Sequence, residues 1–175
     1  MACPREAFLF VWFYKQQGRS VRDACSGAIV NVLVTQVDPP FCHVELAFED
    51  GTAISVTKNH KVSMRRRTFD PQYYTCIRIP VSFEVSIYAK SEASARVGQP
   101  FGYVGKNTTF CSKLVCEILK TSMAVRDLGS PGSTSPSALY RRLVSKGKLL
   151  NPSKSCGGFP IAFRSELAHL LPESP

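Results

Sequence analysis

One hairpin constrains the fold more than any other stretch. Phe41-Cys42-His43-Val44-Glu45-Leu46-Ala47-Phe48 and Thr52-Ala53-Ile54-Ser55-Val56-Thr57 flank Glu49-Asp50-Gly51. Alternation of this kind marks half-buried strands, and Asp-Gly marks the turn between them. Because side chains alternate across a strand, His43, Glu45 and Ala47 share one face, and Val44, Leu46 and Phe48 share the other. A three-residue turn over 49–51 sets Glu45 opposite Ser55 and His43 opposite Thr57. A two-residue turn at 50 and 51 would shift every pair by one and leave the register open.

Further elements follow the same rules. Ala7 to Tyr14 is an apolar run that reads as a buried strand, too short to cross a membrane and without the flanks of a signal peptide. Gly27 to Thr35 and Tyr73 to Val81 are rich in β-branched and aromatic residues and read as strands. Lys58 to Arg67 is polar and basic and reads as a loop, and Ser82 to Arg96 as a helix capped by Ser82, with Val85, Tyr88, Ala89 and Ala95 at positions compatible with one buried face. Asp127 to Ser135, with Gly129, Pro131 and Gly132, reads as a flexible loop. Ser135 to Gly147 has the punctuation of a short helix: Ser135 as N-cap, Pro136 in first position, Gly147 as stop. A weak last helix is expected over Ser165 to Leu171. No repeat or second domain is visible, so residues 1–175 are expected to form one α+β domain with a small antiparallel sheet packed against helices.

The stretch from Thr108 to Lys120 carries the chemistry. Leu114, Val115, Ile118 and Leu119 recur at helical spacing, and counting back places Cys111 on the same face, in the first turn. Thr108 and Thr109 are the candidate N-caps. A helix start presents unpaired N–H groups and a partial positive charge, which favour thiolate over thiol. Cys116 points away and lacks that field. Two readings stand for Cys111, a nucleophile or a small buried hydrophobe, and a histidine decides between them. Of the three, His60 lies in a basic loop and His169 near the end of the chain, whereas His43 opens a strand among apolar neighbours. His43 is either the partner base or an ordinary strand residue with its tip in water.

Composition narrows the function classes. The net charge of +9 favours acidic partners: a protein or peptide, an anionic lipid surface, or nucleic acid. The charge is scattered except at Arg65-Arg66-Arg67, and no nucleic-acid-binding motif accompanies that run, so no specific nucleic-acid role is expected. The seven cysteines are odd in number, irregularly spaced and without a zinc pattern, which fits reduced thiols in an intracellular protein. No cofactor or metal is expected.

The order and spacing of these motifs resemble the permuted NlpC/P60 family, in particular its YiiX-like and viral members. In that family a histidine opens a strand of the form F-x-H-V-x-L-x-F-x-D-G, and the cysteine follows later in F-C-S-x-L-V at a helix start. Here these are Phe41 to Gly51 and Phe110 to Val115, with Ser135-Pro136-Ser137 matching a Thr/Ser-Pro-Ser motif that opens a later helix. The resemblance covers about residues 28–146. It implies a circularly permuted papain-like core, Cys111 as nucleophile and His43 as base. The family's third group lies on the strand after the histidine strand. Motif alignment puts Ser55 there, turn geometry also allows Thr57, and Glu45 is a rival orienter on the histidine strand itself. The activity implied is hydrolysis of a peptide or isopeptide amide through an acyl-cysteine. The alternatives are lipid acyl hydrolysis or transfer on the same fold, and a binding module that keeps the fold without the chemistry and docks an acidic partner.

Overall fold

The computed structural model describes residues 6–15, 41–57, 60–103, 107–145 and 148–150. The strand expected over Gly27 to Thr35, the stop at Gly147 and the helix expected over Ser165 to Leu171 lie outside them. Six strands form one antiparallel sheet: β1 (Glu6–Lys15), β2 (Phe41–Phe48), β3 (Thr52–Ser55), β4 (Ser63–Arg66), β5 (Tyr74–Ser82) and β6 (Lys148–Leu150). Their spatial order is β4-β3-β2-β1-β5-β6. The helices are α1 (Phe83–Ala95), α2 (Cys111–Thr121) and α3 (Pro136–Val144), with a short 3-10 turn at Pro131–Ser133. The architecture is α+β, and no helix among the described residues is long and apolar enough to cross a membrane.

The hairpin takes the register of the three-residue turn: Leu46 pairs with Ile54 and Ala47 with Ala53. Gly51 sits at φ +79, the left-handed conformation that glycine adopts without a steric penalty. Asp50 fixes the turn by accepting the Thr52 N–H at 3.2 Å and its hydroxyl at 2.7 Å. One face of the sheet carries the main core. Leu9, Val11, Phe13, Val44, Leu46, Ile54 and Ile77 pack there with Leu114, Ile118 and Leu119 of α2, Ala89 and Ala93 of α1, and Leu139 and Leu143 of α3. The opposite face has a smaller cluster of Trp12, Ala47, Ala53 and Cys76, over which Phe69 stacks on Trp12 with ring centres 4.6 Å apart.

A bulge interrupts the β1–β2 ladder. Tyr14 pairs with His43 but Lys15 with Phe41, so Cys42 is an extra residue on β2. A bulge adds one residue to one strand and re-aims its neighbours. It accounts for Phe41 and Val44 both joining the helix-side core although three positions apart.

Four expectations are corrected. The basic stretch before Arg67 is not all loop: Ser63–Arg66 is an edge strand paired with β3. It escapes recognition because both its faces are polar apart from Met64, and charge on an edge blocks pairing with a further strand. The N-cap of α2 is Phe110, not Thr108 or Thr109, and no side chain caps it. In α1 the buried positions are Ala89 and Ala93, while Tyr88 is exposed. The segment after Asp127 is not loose, for Leu128 and Thr134 are buried. Arg142 Nη1 donates to the Leu128 carbonyl and to Thr134 Oγ1, and the Ser112 hydroxyl donates to the Thr134 carbonyl at 2.6 Å.

Two serine caps match the sequence reading: Ser82 accepts from the Val85 N–H and Ser135 from the Ala138 N–H. Ser137, in the first turn of α3, reaches back to β2. Its hydroxyl accepts the Phe41 N–H at 3.0 Å and lies 3.4 Å from the Phe41 carbonyl, so it clamps the strand two residues before His43. Removing the hydroxyl strands a buried N–H, and Ser137→Ala is expected to cost about 1–3 kcal/mol in denaturant unfolding. At the end of α2, Met123 adopts φ 58 and is exposed. The left-handed conformation costs a side-chain-bearing residue about 1–2 kcal/mol. Glycine at that position ends helices readily, so Met123→Gly is expected to raise the unfolding midpoint, by about 1 kcal/mol in stability.

Candidate active site

His43 lies where β2 emerges from the bulge, with 15 % of its side chain exposed. Its imidazole sits close enough to the side chain of Cys111, the first residue of α2, for the two to interact electrostatically. The fold therefore brings together two residues far apart in sequence. The hydrophobic face of α2, with Leu114, Val115 and Ile118, seats the helix in the core, and Cys111 packs half-buried at its rim. Phe110, the N-cap, makes no side-chain hydrogen bond to the first-turn N–H groups of α2. Such groups are donors suited to an oxyanion.

The Nε2 atom of His43 faces two oxygens. Ser55 Oγ lies at 3.1 Å and Glu45 Oε1 at 3.5 Å. Ser55 comes from the end of β3, and Glu45 is the next residue but one on β2. Of the two third-group candidates on that side of the hairpin, the structure brings Ser55 to the histidine and not Thr57. Thr57 is exposed beyond the end of β3, where its carbonyl accepts the His60 N–H at 3.1 Å. The reason is the register: β3 ends at Ser55, so the position opposite His43 is no longer paired.

Glu45 is only 1 % exposed. Its Oε1 forms an ion pair with Arg67 Nη2 at 3.0 Å and accepts from the Tyr74 hydroxyl at 3.5 Å. Arg67 Nη2 also donates to the Tyr74 oxygen at 3.4 Å, which closes a triangle. Glu45 Oε2 is buried with no hydrogen-bond partner among the described residues. Neither Arg67 nor Tyr74 was visible as a site residue in the sequence. The signal that bears on Tyr74 is the cross-strand row His43–Tyr14–Tyr74, which exists only once β1 lies between β2 and β5.

Electrostatics follow from these contacts. Burial lowers the proton affinity of His43, but the hydrogen bonds with Cys111 and Glu45, and the charges of both, outweigh it and raise the imidazole from 6.5 to about 10. Burial beside Glu45 raises Tyr74 to about 12, so it stays a donor. Cys116 is wholly buried in the core, and burial pushes its thiol up. In cysteine chemistry the thiolate is the nucleophilic form, and an adjacent imidazole is the kind of group that takes up a thiol's proton. Among known proteins, no family model matches the chain, and no curated protein or solved structure matches it.

Proposed function

We propose that this chain is a thiol hydrolase that cleaves a peptide or isopeptide amide through an acyl-cysteine on Cys111. The observation that carries the reading is the juxtaposition of His43 with Cys111 at the start of α2. A nucleophile, a base and a group orienting the base are the parts such chemistry needs. With Nε2 engaged by Ser55 and Glu45, Nδ1 is the ring nitrogen left to serve the thiol. The thiolate attacks the carbonyl carbon, and N–H groups of the first turn of α2 receive the oxyanion. The His43 imidazolium protonates the leaving amine, leaving a thioester on Cys111. Neutral His43 then takes a proton from water, whose oxygen attacks the thioester and releases the acid and the thiol. The order of the two residues, histidine strand before cysteine helix, supports the circularly permuted papain-like reading of the core.

Lipid acyl hydrolysis or transfer is the second reading. It draws on Phe83 and Ile87, exposed one turn apart on α1, and on the net charge of +9, which suits an anionic surface. An acidic peptide suits the same charge.

Incubation with an activated p-nitrophenyl ester, followed by mass mapping, tests the mechanism. A nitrophenol burst and an acyl adduct on Cys111 are expected, absent from Cys111→Ala and retained in Cys116→Ala. An adduct on Cys116, or no adduct, overturns the assignment. Turnover of amide peptides against acyl-lipid vesicles then separates the two readings.

A further inference from the structure

We infer that Glu45 is the charged positioning residue of this site: a buried carboxylate, held by Arg67 and Tyr74, that stabilises the protonated ring of His43, while Ser55 only directs it. The inference deepens the hydrolase reading and rests on it for its catalytic meaning.

Burial supplies the first reason. Carboxylates are almost never fully buried unless paired, and Glu45 is 1 % exposed on a strand whose other inward residues are apolar. Its partners are long-range: Arg67 from just beyond β4 and Tyr74 from β5. Two further strands thus contribute to holding one acid beside one histidine. A pair built only for stability would gain more from an apolar replacement. It would also not leave one carboxylate oxygen buried without a partner among the described residues, as Oε2 is.

Charge supplies the second. A serine hydroxyl is neutral and can orient the ring, but it adds no charge to offset the imidazolium. Coulomb attraction falls only as the inverse of distance, so Glu45 at 3.5 Å still acts where a hydrogen bond has become weak. The charged and titratable groups around the ring are Cys111 from α2, Glu45 on β2, Arg67 after β4 and Tyr74 on β5, with Tyr14 on β1 as cross-strand neighbour. Of these, Cys111 and Glu45 raise the proton affinity of His43. The Arg65-Arg66-Arg67 run divides accordingly. Arg65 and Arg66 are exposed, and Arg67 turns to Glu45 and lies over the Phe69 ring at 5.6 Å.

The test is an NMR titration of the His43 ring in the full chain, with Cys111→Ala as parent so that the thiol does not couple to it. Glu45→Gln keeps the shape and removes the charge. It is expected to lower the His43 midpoint by at least about one unit, a tenfold loss of proton affinity. Glu45→Asp is expected to recover part of that loss, and Ser55→Ala to shift the midpoint by no more than a few tenths. An unchanged midpoint in Glu45→Gln overturns the inference. So does a fall in Ser55→Ala to the ordinary histidine value, which can be read even if Glu45→Gln does not fold. Failure of the hydrolase reading shows separately, as loss of the acyl adduct on Cys111 while the His43 titration keeps its dependence on Glu45.

Discussion

Replacing His43 by alanine is expected to slow alkylation of Cys111 by iodoacetamide at pH 7 by about tenfold. A free thiol with a pKa near 8.5 is only about 3 % ionised at that pH. A neighbouring imidazolium favours the thiolate, which is a gain in the reactive form. Lower basicity makes each thiolate a poorer nucleophile and takes back part of that gain. The pH profile should change as well. With His43 raised to about 10, the rate in the parent protein is expected to be nearly flat between about pH 6 and 8. In His43→Ala it should climb with pH as an ordinary thiol does. Hydrolysis should fall further than labelling, by about 10²–10⁴, because the variant also loses the proton donor for the leaving group. Equal, slow, pH-dependent labelling in both proteins would mean that His43 and Cys111 sit together without forming an ion pair, and the mechanism would fall with it.

The second large effect concerns Phe13. Its ring is fully buried in β1, 5.3 Å from Phe41 at the start of β2 and 5.2 Å from Tyr140 in α3, where it meets the latter edge-on. Phe41 and Tyr140 lie 4.6 Å from each other, so three aromatic rings join β1, β2 and α3 directly behind the bulge. Phe13→Ala is expected to cost about 3–5 kcal/mol, through lost burial and a cavity that three separate elements cannot collapse to fill. Phe13→Leu should cost clearly less. Chemical unfolding followed by tryptophan fluorescence reads the effect, since Trp12 is the sole tryptophan and sits on the opposite face of the same strand. A loss under about 1 kcal/mol for Phe13→Ala would contradict the packing described here.

Much of this site could be read from local patterns. The Asp-Gly turn marks the hairpin and narrows its register to two, and the structure takes the one that sets Ser55 near His43. The spacing of Leu114, Val115, Ile118 and Leu119 places Cys111 at a helix start. Ser82 and Ser135 announce their helices by the oxygen they lend to a backbone N–H. What stayed hidden depends on contacts across long sequence distances or on departures from regular geometry. Nothing in the alternation of β2 marks Cys42 as the extra residue of a bulge. The strand Ser63–Arg66 has almost no apolar signature, because an edge strand needs none. Glu45 ranks below Ser55 by sequence because it lies two residues from His43 on the same strand. Its place beside the ring is fixed only once Tyr74 of β5 and Arg67 from just beyond β4 reach its carboxylate.

The order of strands also bears on how the chain acquires its shape. β1 lies between β2 and β5, yet it precedes both along the chain, and the serine that clamps β2 comes later still, at position 137. Until β5 has been made, the most apolar strand has at least one open edge. Such edges invite pairing with other chains, and sheets built from distant segments close slowly. Synthesis interrupted after α2 would yield a chain that carries both Cys111 and His43 but not the serine that clamps β2 at Phe41. Truncated products ending there also lack Leu139 and Leu143, which complete the core, and should collect as aggregates and not as a smaller folded protein.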